Sequence, residues 1–235
     1  MPEHYVWLTW ATSFLLPWGA LFLAFPDRRK AMIWSSLFTM PFGLTEPLFV
    51  PEYWNPPSLF DLAQKTGFDL ESLVFCFAIG GVGAVLYDLI TRRKQIELSE
   101  KEKHNPHHRF HPLIVASPFV VFLSLVWLPW NPIYPGIIAM FAGAAATCWC
   151  RPDLLRKSWI GGVLFLGYYL VFLAGLEATS PGYIDRVWNV EELLPFRILG
   201  MPLEELLFAA GFGTYWSGIY DHFRWRGSVA TAPES

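Results

Sequence analysis

The sequence predicts an all-α integral membrane protein in which seven transmembrane helices form two parallel three-helix repeats joined by a connector helix. This prediction rests on a composition that is 54% hydrophobic and only 16% charged, on recurring apolar stretches, and on basic residues gathered at one end of those stretches. A soluble domain is usually about 25% charged. We therefore expect a multi-pass protein of the cell membrane that contacts the lipid bilayer and binds no nucleic acid.

Seven apolar stretches have the roughly 20-residue length that crosses the hydrocarbon of a bilayer. They cover residues 5–25, 31–50, 70–90, 112–130, 132–150, 158–177 and 202–222. The first is too long and too aromatic for a cleaved signal peptide, and no basic segment precedes it. We expect it to be a membrane anchor.

Basic residues predict the direction of these helices. With seven crossings, the clusters at 28–30, 92–109, 151–157 and 224–226 all fall on one side of the membrane. Loops rich in Lys and Arg stay in the cytoplasm. The N-terminus is therefore expected outside and the C-terminus in the cytoplasm.

A motif occurs twice in the chain. Its later copy has Trp-Asn at 188–189, Pro-Leu-Glu-Glu-Leu-Leu-Phe at 202–208 and Tyr-Asp at 220–221. Its earlier copy has Trp-Asn at 54–55, Asp-Leu-Glu-Ser-Leu-Val-Phe at 69–75 and Tyr-Asp at 87–88. The two copies indicate a duplicated three-helix unit.

The duplication predicts the domain organisation. The first repeat covers residues 1–92, and the second covers 132–226. Between them, residues 93–131 form a cytoplasmic linker and the connector helix, which makes the two repeats parallel about an axis along the membrane normal. Residues 227–235 are expected to be a disordered tail.

Acidic residues at membrane depth are the candidate catalytic groups, because burying a carboxyl group in lipid is expensive. They are Glu46, Glu71, Glu177, Glu204 and Glu205. An acid in the first turn of a helix also complements the helix dipole, but Glu46 and Glu177 do not begin a predicted helix.

Helical spacing predicts different surroundings for the two adjacent glutamates of the seventh helix. Glu204 shares a stripe with small and polar residues, so we expect it to face the bundle interior. Glu205 shares the stripe of Ala209, Phe212 and Trp216, which suits lipid or its margin. The partner of Glu204 is then Glu177, or else Glu46 or Glu71 across the repeat axis.

Histidine and cysteine residues do not predict a metal site. His104, His107, His108 and His111 lie in a polar segment that we interpret as a solvated linker, because no acidic or cysteine ligand has a matching spacing. The odd number of cysteines, Cys76, Cys148 and Cys150, implies no disulfide framework. Asp88, Asp221 and His222, at the cytoplasmic helix ends, are expected to be capping or headgroup contacts.

The pattern at 188–208, with its second copy upstream, resembles the integral-membrane lycopene cyclases. In that family two three-helix halves, encoded separately or fused, convert the ψ ends of lycopene into ionone rings. The chain resembles the fused form over nearly its whole length. Its first copy departs from the motif, since Asp69-Leu70-Glu71-Ser72 lacks the proline and the second glutamate.

The resemblance implies proton-in, proton-out chemistry on a carotenoid polyene. An acid protonates an alkene, the cation closes a six-membered ring, and a base removes a ring proton. No net redox occurs, so we expect no cofactor, and no Gly-x-Gly-x-x-Gly fingerprint is present. Glu204 is the expected proton donor. Aromatic faces stabilise cations, and the candidate substrate-binding residues are Phe208, Tyr215, Phe75, Trp54 and Trp188.

Other functional classes fit the sequence less well. A proton pathway needs carboxylates spread through the membrane depth, whereas these gather at one end. A retinal protein needs a lysine in the middle of the seventh span, and none is present. A non-catalytic carotenoid- or lipid-binding membrane protein stays open. A homo-oligomer or other carotenoid-pathway enzymes are the protein partners considered.

Overall fold

The computed structural model describes residues 2–230, which are mostly helical. The α-helices are α1 (Val6–Ser13), α2 (Leu15–Ala24), α3 (Arg29–Thr39), α4 (Leu62–Thr66), α5 (Leu70–Ile90), α6 (Glu100–Lys103), α7 (His111–Leu125), α8 (Ile133–Cys150), α9 (Leu155–Thr179), α10 (Tyr183–Val187) and α11 (Leu203–Phe223). Four short strands complete the fold: β1 (Arg93–Glu97), β2 (Arg197–Ile198), β3 (Met201–Pro202) and β4 (Arg226–Ala230).

Four helical segments are long and apolar enough to cross a membrane, namely Glu3–Ala24, Leu70–Ile90, Ile133–Cys150 and Pro152–Thr179. The apolar helix α7 is shorter. These segments make the chain a membrane protein. The predicted number of seven crossings and their direction stay predictions.

Two of the predicted spans are not single α-helices. The stretch 5–25 divides at Phe14 into α1 and α2, because Pro17 has no amide hydrogen to donate to the preceding turn. The stretch 31–50 begins as α3 and continues as a 3₁₀ segment, Met40–Leu48, which contains Pro47. The other five predicted spans correspond to α5, α7, α8, α9 and α11.

Helices α5 and α11 lie at the centre of the bundle and pack against each other. Helix α3 packs along α5, and α9 packs along α11. Likewise α1 and α2 border α5, while α8 borders α11. Each central helix therefore packs against earlier helices of its own half, and the duplication itself stays a prediction.

Glycines at matching motif positions allow the closest helix contacts. A Cβ atom added to Gly80 on α5 would lie 2.1 Å from Thr39 Oγ1 of α3. One added to Gly213 on α11 would lie 2.5 Å from the Phe165 Cβ atom and 2.7 Å from the Gly161 carbonyl oxygen of α9. Both helix pairs depend on the missing side chain.

The connections before α5 and α11 meet through reciprocal backbone hydrogen bonds. Trp54 and Trp188 form an antiparallel bridge. The Asn55 amide donates to the Val187 carbonyl at 2.8 Å, and the Asn189 amide donates to the Tyr53 carbonyl at 2.9 Å. The two bonds join corresponding residues of the motif copies, which supports the predicted repeat. We call this end of the bundle the tryptophan end.

Buried ion pairs join the central helices at the opposite end, which we call the basic end. The Lys157 ammonium lies 2.7 Å from Asp88 Oδ2 and 2.8 Å from Asp221 Oδ2. The Arg28 guanidinium lies 3.2 Å from the same Asp88 oxygen. Both aspartates are fully buried. The expectation that they cap helices or contact headgroups is therefore wrong, because Lys157 compensates their charge inside the bundle.

A two-stranded sheet covers the basic end. Strands β1 and β4 pair antiparallel, with Arg93 opposite Ala230 and Glu97 opposite Arg226. Residues 227–230, which the sequence assigned to a disordered tail, thus belong to a strand, and the rest of that tail lies outside the described residues. The start of the predicted linker is likewise ordered by backbone pairing.

Gly213→Ala is expected to lower the free energy of unfolding by about 2 kcal/mol, because overpacking a tight helix contact forces a backbone or side-chain shift. Thermal unfolding in detergent measures the effect. Gly167→Ala is the control, since a Cβ atom there meets nothing within 4 Å and alanine favours the helix. Equal melting temperatures for the two variants would contradict this packing.

Lys157→Met is expected to destabilise the protein by about 3–5 kcal/mol, because it removes the buried cation that pairs with Asp221 and leaves Asp88 with Arg28 alone. Adding Asp88→Asn and Asp221→Asn to that variant should restore part of the loss. Lys65→Met is the control, since Lys65 and its partner Asp61 are both 65% exposed and such pairs contribute about 1 kcal/mol or less. If Lys157→Met and Lys65→Met destabilise the protein equally in detergent, the ion-pair assignment is wrong.

Candidate active site at the tryptophan end

Helices α5 and α11 both begin at the tryptophan end, so the first turn of each places its motif acid beneath the connecting loops. Asp69 is the N-cap of α5, and its Oδ1 accepts a hydrogen bond from the Ser72 amide at 2.6 Å. Asp69, Glu71 and Glu204 are all fully buried. We call Glu46, Asp69, Glu71, Glu204 and Glu205 the carboxylate cluster.

Glu71 and Glu204 have matching hydrogen bonds in the two halves. Glu71 Oε1 accepts from the Leu59 amide at 2.7 Å, and Glu204 Oε1 accepts from the Leu194 amide at 2.9 Å. Within residues 2–230, the Oε2 atom of each glutamate is buried and has no hydrogen-bond partner. Each carboxyl group thus accepts hydrogen bonds through one oxygen, while its other oxygen has no described hydrogen-bond partner.

Glu204 has one further partner that Glu71 lacks among its described contacts. The Tyr134 hydroxyl of α8 donates to Glu204 Oε1 at 2.7 Å. Tyr134 is half-buried. It follows Asn131 and Pro132, which line a shallow groove of about 390 Å³ on the surface together with Glu52 and Glu192. Tyr134 therefore contacts the buried carboxyl group from a helix whose preceding residues border this groove.

Glu205 is held by three neutral donors. Its Oε1 accepts from the Trp188 indole at 2.7 Å and from the Tyr53 hydroxyl, and its Oε2 accepts from the Tyr169 hydroxyl at 2.7 Å. The expectation that Glu205 faces lipid is wrong. Its stripe is buried, with Ala209, Phe212 and Trp216 at most 5% exposed, because α11 is enclosed by α5, α8 and α9.

Glu46 supplies a second buried acid to the first half. It is 7% exposed and lies beside Ser72 and Trp54, within reach of the charges of Asp69 and Glu71. Ser72 is the residue that replaces the second glutamate of the motif. Glu46, from the 3₁₀ segment after α3, thus lies near the position at which α5 has Ser72 in place of the second glutamate of the motif.

Asp69 is an acid of the cluster that the sequence analysis did not propose for catalysis. Its N-cap role accounts for Oδ1, whereas Oδ2 is buried without a partner in the described part of the chain. Burial, together with the nearby Glu71 charge, raises the pKa of Asp69 to about 6. The first half of the site therefore contains three buried acids, Glu46, Asp69 and Glu71.

Glu177 lies apart from the other predicted acids. Its carboxylate accepts hydrogen bonds from the Gly182 amide and, at 3.4 Å, from the Ile184 amide. These contacts secure the turn before α10. The described contacts do not bring Glu177 to Glu204, so their pairing stays a prediction.

Four of the five predicted aromatic residues surround the centre of this site. The Trp54 and Trp188 ring centroids lie 5.3 Å apart, while Phe75 and Phe208 lie 6.3 and 5.9 Å from the Tyr169 ring. Tyr215 lies farther along α11, because eleven residues of helix place it about 16 Å from Glu204 along the axis. The structure thus groups Trp54, Trp188, Phe75 and Phe208 but not Tyr215.

Three tyrosines that bind the cluster were missed by the sequence analysis. Tyr53, Tyr134 and Tyr169 come from the loop after α3, from α8 and from α9, and the motif contains none of them. Only the folded bundle brings their hydroxyl groups to the glutamates. An aromatic-rich composition gave no signal to separate them from packing residues.

Comparison with known proteins bears on the second half of the chain. Residues 131–223 match the lycopene cyclase family model. No curated protein and no solved structure matches the chain. The matched segment contains α8, α9 and α11 with Glu204, Glu205, Tyr134 and Tyr169. The resemblance predicted from the motif is thereby confirmed for residues 131–223, which are similar to the lycopene cyclases.

Proposed function

We propose that this protein cyclises the linear ψ end groups of lycopene, or of a related acyclic carotenoid, to ionone rings by protonation and deprotonation. The observation that supports this most directly is the pair of buried glutamates with a bare Oε2, at corresponding positions of the two central helices. The match of residues 131–223 to the lycopene cyclases indicates the class of reaction. The carboxyl groups provide its acid and base.

Glu204 is the proposed proton donor. Transferring a proton to an alkene requires a carboxylic acid that holds its proton within reach of the substrate. Glu204 Oε1 receives two hydrogen bonds, so the proton would reside on the bare Oε2. Glu71 would have the same role in the first half.

Glu205 is the proposed negative group that stabilises the cation and accepts the ring proton. Three donors point at its two oxygens and hold the carboxyl group in one orientation. The adjoining faces of Trp188 and Phe208 add negative density without a nucleophile that would trap the cation. Glu46, beside Ser72, would be the corresponding group of the first half.

The catalytic cycle also needs a route by which the donor regains its proton. Each turnover moves one proton from Glu204 to the substrate and one from the substrate to the base. For the next turnover Glu205 has to release the ring proton and Glu204 has to take up a new one, and the Tyr134 hydroxyl on Glu204 Oε1 is the proposed first group of the return route. This role explains why a half-buried tyrosine contacts the donor.

Glu204→Gln is expected to reduce cyclised pigment at least about 100-fold in a lycopene-accumulating bacterium, the usual contribution of a general acid. The glutamine carbonyl can still accept from Leu194 and Tyr134, so the fold should survive while the acidic proton is lost. Pigment extraction and chromatography measure the product.

Glu191→Gln is the matched control, since Glu191 is exposed at the same end of the molecule, and it should leave the product unchanged. Full cyclisation by Glu204→Gln would contradict the donor assignment. Unreacted lycopene that co-purifies with well-expressed parent protein would instead indicate a carotenoid-binding protein.

Tyr169→Phe is expected to slow cyclisation about tenfold, because a hydrogen bond to a charged group contributes about 1.5–3 kcal/mol and here it holds Glu205. The neighbouring Tyr168→Phe removes a hydroxyl group that has no partner in the described structure and should have little effect. Initial rates in membranes that contain equal amounts of each variant test the difference. Similar rates for the two variants would show that the Tyr169–Glu205 bond does not support catalysis.

A further inference from the structure

Three side chains with metal-binding atoms converge at the basic end, remote from the carboxylate cluster. His111 begins α7, Cys150 ends α8, and His222 lies in the last turn of α11. One ligand atom from each can be chosen so that all three lie within 4.8 Å of one another. Cys150 and His222 are fully buried.

A fourth residue approaches the same sulfur atom. Cys150 Sγ lies 3.4 Å from His108 Nδ1 and 3.6 Å from His111 Nδ1. Tetrahedral zinc, with Zn–S near 2.3 Å and Zn–N near 2.0–2.1 Å, places sulfur and nitrogen ligands about 3.6 Å apart. The observed separations are those of two ligands on one zinc ion.

His222 has one ring nitrogen that makes no described hydrogen bond. Its Nε2 is buried and has no hydrogen-bond partner within the described chain. Its Nδ1 lies 3.4 Å from Thr147 Oγ1, and its ring centroid is 4.4 Å from that of His111. A buried imidazole that is held through one nitrogen and bare at the other is the arrangement of a metal ligand with an outer partner.

The surrounding charges suit a divalent ion. Arg151 is the nearby cation, and Asp153 compensates it at 2.6 and 2.7 Å. A thiolate ligand would neutralise part of the charge of the metal ion. Sulfur and imidazole ligands select zinc over magnesium or calcium, which prefer oxygen.

We propose that His111, Cys150 and His222 bind a structural zinc ion, with His108 as the fourth ligand. The ion would join the connector helix α7 to α8 and α11 at the basic end. A metal ion that binds only the folded state stabilises it. The site therefore secures the connector helix on the second repeat and takes no part in cyclisation.

The test is metal binding by the full chain, purified in detergent through a tag that contains no histidine. After chelation, zinc should rebind at about one ion per chain and raise the melting temperature. Cobalt(II) in its place should show tetrahedral bands and a thiolate-to-metal charge-transfer band. A cobalt complex without the thiolate band would overturn the proposal.

Two ligand variants and one control complete the test. Cys150→Ser and His222→Gln should each weaken zinc binding at least about tenfold, by comparison with the 10- to 100-fold effects of losing outer partners of a metal ligand. Cys148→Ser should bind zinc normally, because Cys148 lies beside Ser158 of α9 and outside the cluster. Parent protein that binds zinc no more tightly than Cys150→Ser would also overturn the proposal.

Discussion

Burying carboxyl groups inside a helical bundle is costly, and the two ends of the central helix pair accommodate them in different ways. At the basic end, Asp88 and Asp221 both bind Lys157, and these ion pairs join the halves. At the tryptophan end, Glu71 and Glu204 have hydrogen bonds but no cation among their described contacts. The first arrangement joins the two halves, and the second leaves the Oε2 atom of each glutamate without a partner in the described residues.

The separation of these roles follows from the duplicated motif. An acid in the first turn and an aspartate near the last turn recur on α5 and α11. Packing the two helices together therefore places both glutamates at the tryptophan end and both aspartates at the basic end. The reciprocal bonds of Asn55 and Asn189 hold the loops over the glutamates, and Lys157 holds the far end. The proposed catalytic groups are thus positioned from both sides, and the described hydrogen bonds of Glu71 and Glu204 include no cation.

Apolar length predicted α5, α8, α9 and α11, and the repeated motif predicted that Glu71 and Glu204 are buried at one end. The failures have physical causes. The stripe of Glu205 resembles a lipid-facing surface because a helix enclosed on all sides has no polar face to distinguish it. The tyrosines on Glu204 and Glu205, and the approach of Cys150 to His111, depend on contacts between distant segments that spacing along one helix does not contain.

In the fold, a glutamate from another segment lies beside the position at which the first copy of the motif lacks its second acid. Ser72 stands where α11 has Glu205, which by sequence alone removes one acid from the first half. In the bundle, Glu46 reaches Ser72 from a neighbouring segment, and the 3₁₀ segment around Pro47 is what brings it there. The break in the second predicted span thus restores a second acid to the first half. Both halves therefore contain neighbouring buried carboxyl groups, which different chain segments supply, and the proposed acid–base chemistry needs such groups in each half.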